Sequence, residues 1–85
     1  MYKLEIEIVE IKGKCSAGYS IGDRFYVEDP NIISDKPVCI YAISALIPYL
    51  TARYRDVAED DWINHVEFLE CPDPENTVMF KVRRL

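Results

Sequence analysis

The chain has 85 residues, 49% of them hydrophobic and 12% aromatic, which is enough apolar material for one folded domain and too little length for two. Its net charge of −5, from 15 acids against 10 bases, repels polyanions and argues against general nucleic-acid binding. The longest apolar run, Val38 to Leu50, is interrupted by Ser44 and Pro48 and is too short to span a bilayer, so no membrane partner is expected.

The first stretch, residues 2 to 11, alternates: Leu4, Ile6 and Ile8 fall on one side, and Lys3, Glu5 and Glu7 on the other. That is the period of a half-buried strand, disturbed at its far end by Val9 and Ile11. No continuous apolar core of signal-peptide type is present there, and a cytoplasmic location is the default expectation. A glycine-punctuated loop follows, "GKCSAGYSIGD", and then "RFYVE" (Arg24 to Glu28) offers a second strand that "DPN" should stop.

From Asp35 the period changes. Cys39, Ile43, Leu46 and Leu50 form a helical stripe, which Ile40, Ile47 and Tyr54 widen. Ser34 or Asp35 is the expected cap, with Pro37 in the first turn. Pro48 falls in the interior, which predicts a kink or a break into two short helices near Ser44 to Ile47. "RDVAEDDW" carries four acids between Asp56 and Asp61 and reads as a solvated connection, closed by Trp62 against the core. A hairpin completes the chain: "NHVEFLE" with Val66 and Phe68 inward, the loop "CPDPEN", and "TVMFKVRRL" with Val78, Phe80 and Val82 inward. The predicted fold is α+β, in the order β-β-α-β-β, with a small antiparallel sheet covered on one face by one Pro-kinked helix.

The chemistry narrows to thiols. Glycines at 13, 18 and 22 match no phosphate-loop spacing and lead into a strand, so they read as turn residues. Lys81, Arg83 and Arg84 read as a solvated strand face. Cys15, Cys39 and Cys71 are separated by 23 and 31 intervening residues, with no CxxC knuckle of the kind that zinc and iron–sulfur sites use. Each cysteine nonetheless ends or starts an element, so the three can converge on a metal. His65, at an even offset from Cys71 on the predicted strand, is a candidate fourth ligand. Cys39, in the expected first helical turn, gains from the helix dipole as a thiolate and loses by burial. The alternative is that small cysteines fill the core.

Three segments taken together, "GKCSAGYSIGDRF", "VCIYAISALIPYL" and "CPDPENTVMFKVRRL", resemble a family of small prokaryotic proteins of about this length that carry three cysteines and no assigned activity. The markers are Gly-x-Cys-x-x-Gly, Cys-x-x-Ala and Cys-Pro-Asp-Pro. Gly13, Cys15, Gly18, Gly22 and Asp23 fall on the first, Cys39, Ala42, Pro48 and Leu50 on the second, and Cys71 to Pro74 with Phe80, Arg83 and Arg84 on the third. Tyr19 stands where such proteins commonly have histidine. The resemblance implies that the cysteines form a set. Two functions remain open: a non-catalytic interaction or accessory module with packing thiols, acting with a protein partner or as a homodimer, and a thiol site for a metal, an iron–sulfur cluster, a small ligand or redox chemistry.

Overall fold

In a computed structural model the chain forms an α+β domain, described over residues 1–15 and 17–85. The elements in chain order are β1 (Leu4–Lys12), β2 (Arg24–Glu28), β3 (Asn31–Ile33), α1 (Ile40–Arg53), a 3-10 turn (Trp62–His65), β4 (Phe68–Glu70) and β5 (Thr77–Arg84). The five strands make one antiparallel sheet in the order β3-β2-β1-β5-β4. The α+β class and the single helix are as the sequence suggests. The order is not β-β-α-β-β, because β3 follows "DPN" at once and pairs Ile32 with Val27.

Alternation decides the sheet's two faces. Leu4, Ile6, Ile8, Phe25, Val27, Val78, Phe80 and Val82 are buried on the side that α1 covers. The opposite face is ionic. Arg83 Nη1 lies 2.8 Å from Glu5 and 3.0 Å from Glu7, and Arg24 approaches both acids from β2. These bonds and the acids' charge hold Arg83 above its ordinary pKa, so it is committed to the sheet rather than free for phosphate. The disturbance at Val9 is a β-bulge between Ile8 and Glu10: Ile8 pairs with Phe80, Glu10 with Met79, and Ile11 with Val78.

The helix starts later than its expected cap. The Ser34 hydroxyl accepts from Lys36 N at 3.2 Å and donates to its carbonyl at 2.7 Å, closing a local turn. Lys36 also precedes Pro37, which disfavours helical backbone there. Cys39 is therefore the N-cap residue, outside the first turn, and its side chain makes no capping bond. Ala42, Leu46, Leu50 and Tyr54 supply the buried stripe, whereas Ile40 and Ile47 turn to solvent. Pro48 lies within an uninterrupted Ile40–Arg53, so the break into two helices does not occur. Both Pro48 and Ser44 sit on the exposed side, where water can serve the carbonyl that the missing N–H leaves free.

The second hairpin also departs from expectation. Asp61 accepts from Ile63 N at 3.0 Å and Asn64 Nδ2 donates to the Ala58 and Glu59 carbonyls, which curls 62–65 into a turn instead of a strand. Ile63, not Trp62, closes the acidic connection against the core; Trp62 is 64% exposed. The strand is thus reduced to Phe68–Glu70, with Leu69 facing the core and Phe68 outward.

Arg84 is not a solvated strand residue. Its Nε donates to the Arg53 carbonyl at the helix C-terminus (2.8 Å), Nη1 donates to Asn64 Oδ1 (2.7 Å), and the guanidinium stacks 4.4 Å from the Tyr2 ring centroid. Burial and the neighbouring Arg84 charge push Arg53 below its ordinary pKa. Replacing Arg84 by alanine should lower the unfolding free energy by about 2 kcal/mol, as lost charge-assisted bonds and stacking predict. Lysine should restore little, because it cannot make the forked contacts. Urea titration of the two variants checks both outcomes.

Candidate functional site

Cys15, Cys39 and Cys71 line one open cleft of about 470 Å³, with Val78 in its wall and exposed Lys14 and Asn76 beside them. Each cysteine arrives by a different route. Cys71 ends the short strand side of the hairpin, where its N–H donates to the Val78 carbonyl at 3.0 Å. Cys39 stands at the start of α1. Cys15 follows β1 in the glycine-rich connection, outside any strand or helix. All three are half-buried, free thiols packed against the core.

Two loops are locked together to make this cleft. In the 71–76 loop, Asp73 Oδ1 accepts from Glu75 N (2.9 Å) and Asn76 N (3.2 Å), and these bonds hold its carboxyl below the ordinary carboxylate range. Thr77 Oγ1 donates to the Asp73 carbonyl and closes the same turn. Asn76 Oδ1 then accepts from Lys14 N at 2.9 Å, across to the glycine-rich connection. Gly13 permits the approach: its φ is +75°, and a Cβ there would meet the Glu75 carbonyl and stand 2.6 Å from Asn76 Oδ1. Gly18 and Gly22 also have positive φ, with open space around them, so the turn reading of the three glycines holds.

Sequence reasoning left Tyr19 out of the site except as a departure from a family histidine. Its hydroxyl accepts from Cys39 N at 2.8 Å, and its ring meets Phe80 edge-on with centroids 6.2 Å apart. It thus joins the glycine-rich connection to the helix start. Burial pushes the Tyr19 phenol up in pKa, the Cys39 amide opposes this, and charge on Cys39, Cys15 or Cys71 would push it further. The phenol remains protonated at neutral pH and keeps its own proton to donate. Burial likewise pushes the Cys71 thiol up, hydrogen bonding to Val78 opposes it, and Cys39 and Cys15 add to the rise.

His65 does not join the cysteines. It lies exposed in the 3-10 turn, ahead of β4 rather than on it, so the even offset from Cys71 has no geometric meaning. Among the described residues no group of three or more Cys, His, Asp or Glu side chains stands close enough together to hold a metal ion. Nor is any described helix long and apolar enough to cross a membrane. No protein-family model, curated protein or solved structure matches this chain.

Two measurements check this geometry. Gly13→Ala should cost at least about 2 kcal/mol, from backbone strain plus the clash with the facing turn. Gly18→Ala, strained but unobstructed, should cost about 1 kcal/mol. Gly13→Ala should also speed alkylation of Cys15 and Cys71 together, since the two loops part.

The second measurement is pH dependence. Cys71 and Tyr19 both titrate above their ordinary values in the fold, so the folded chain holds protons that the unfolded chain has released. Their contribution to stability is complete below the ordinary thiol value of 9.0 and is lost as pH rises through the raised values. Urea midpoints should therefore hold steady at neutral pH and fall as pH rises past about 9, and Cys71 should alkylate more slowly in the folded chain than in the unfolded one.

Proposed function

We propose that this chain is a non-catalytic accessory module that holds a thiophilic ligand, a soft metal ion, in the three-cysteine cleft. The observation that carries the reading is that Cys15, Cys39 and Cys71, far apart in sequence, all line one cleft. A nucleophilic enzyme is disfavoured by the same geometry: the Cys71 thiol is shifted towards its neutral form, and His65 is not there to act as a base. Sulfur donors suit soft ions such as copper(I) or zinc. An iron–sulfur cluster fits less well, because clusters draw on four ligands and the cleft offers three sulfurs. Asp73 is a poor fourth ligand, since both its oxygens accept hydrogen bonds within its own loop. Zinc would complete its shell with water or a small molecule.

Binding must draw the sulfurs together. Cys15 sits on a connection rather than in an element, and the Cys39 side chain is held by no capping bond, so both can rotate toward Cys71. Each thiol that ligates releases its proton, and affinity should therefore rise with pH, most of all while Cys71 still carries its proton.

The test is anaerobic titration of the reduced protein with cadmium(II), followed by its sulfur charge-transfer absorption, with alkylation in parallel. One ion per chain should protect all three thiols, and each single Cys→Ser change should weaken binding at least about tenfold. Thiols that alkylate at the same rates with and without metal would sink the proposal.

A further inference from the structure

β4 is an outer strand of the sheet, and its free side is not sealed. Its partner contacts fix which backbone groups remain. Leu69 pairs with Phe80, Cys71 N donates to the Val78 carbonyl, and Val82 N donates to the Glu67 carbonyl at 2.7 Å. Residues 67, 69 and 71 therefore face β5. By antiparallel alternation the N–H and C=O groups of Phe68 and Glu70 point away from the sheet. They are a ready template for a further strand.

Apolar surface flanks that edge on both sides. A depression of about 450 Å³ runs between α1 and β4, lined by Ala45, Tyr49, Val66, Phe68, Leu69 and Met79. Phe68 is 51% exposed, and Tyr49 meets Trp62 edge-on with centroids 6.3 Å apart, which extends the surface toward the 3-10 turn. Charge identifies the occupant. Glu67 and Glu70 are exposed at the edge, the acidic run ending at Asp61 leads into Trp62, and among the described residues no basic side chain forms an ion pair with Glu67, Glu70, Glu59, Asp60 or Asp61. The nearby cations are engaged elsewhere: Lys81 is held over the Phe68 ring at 5.7 Å from its centroid, and Arg53, whose charge interacts with Glu67, donates to the Asn64 carbonyl at 3.1 Å.

We propose that the open edge of β4 docks an extended segment of a partner protein that alternates apolar and basic residues. Two outward N–H groups and two outward carbonyls supply main-chain pairing, the α1 side of the depression takes the apolar side chains, and Glu70, on the opposite face of the sheet from Leu69, receives the basic ones. A second copy of this chain is the poorer occupant: β4 paired with β4 across a twofold axis gathers Glu67 and Glu70 of both copies along one seam, with no basic side chain in ion-pair contact with them. The other outer strand, β3, is exposed as well, but its neighbour Glu28 is already paired with Lys3 at 3.1 Å. The proposal is independent of the three-cysteine cleft.

The experiment uses the full chain, isotope-labelled, with short synthetic peptides alternating valine with lysine or valine with glutamate. The lysine peptide should bind and shift the amide resonances of Phe68 and Glu70. The glutamate peptide should bind about tenfold or more weakly, because several attractions become repulsions. Glu70→Pro removes an outward N–H and leaves the β4–β5 ladder intact, so it should abolish binding with the melting temperature little changed. If that variant fails to fold, Glu70→Lys serves instead and should invert the peptide preference. Equal binding of the two peptides overturns the proposal. So do resonance shifts centred on Asn31–Ile33, self-association through β4, or an unchanged preference in the reversed variant.

Discussion

The pairing of β1 with β5, with its single bulge at Val9, is the constraint from which the rest of the molecule follows. Without the bulge, Ile8 and Ile11 would point to opposite faces; with it, both face the core, opposite Phe80 and Val78. A slip of one residue would send the whole apolar set of β1 to the ionic face, so the register is strongly specified. That register pairs Lys12 with Thr77 and so delivers Gly13 against the 73–76 turn. Cys15, just beyond the end of β1, and Cys71, just beyond the end of β4, line the same cleft because both strands pair with β5 beside its start.

The helix is placed by bonds at both ends rather than by its stripe alone. At its start the Tyr19 hydroxyl takes the Cys39 N–H, and Tyr19 rests on Phe80, the most central side chain of β5. At its end Arg84, also from β5, takes the Arg53 carbonyl, and Tyr2 N donates to the Tyr54 carbonyl at 2.7 Å. Both ties lead back to the central strands. The third cysteine therefore reaches the cleft by an anchor that the β1–β5 pair itself supports.

Much of the sheet could be read from the chain, and the reasons are specific. β1, β2 and β5 alternate cleanly, and the disturbance at Val9 and Ile11 is the bulge seen from the sequence side. β3 was illegible because three residues directly after a turn carry too little period to register. The helix start was misplaced because Ser34 has two uses, and its hydroxyl closes a turn on Lys36 instead of capping a helix. Side-chain bonds from Asp61 and Asn64 likewise won over the alternation of 64–70, which moved Trp62 and His65 off the positions that periodicity gave them. For the site, the positions of the cysteines at element ends were visible, but their meeting depends on Gly13 and Asn76, a contact between loops far apart in the chain. The signal for Tyr19 was its place in the same loop as Cys15.

The cleft and the β4 edge are neighbours along one strand. Glu70, whose outward groups remain unpaired in the sheet, precedes Cys71, whose N–H is fixed to Val78. β4 has only three residues, and an edge strand so short is ordered largely by what lies beside it. Any partner that lengthens the ladder at Phe68 and Glu70 restrains the backbone that carries Cys71. Restraint there lowers the entropy still to be lost when the three sulfurs are drawn together, so occupancy of the edge and of the cleft should favour one another.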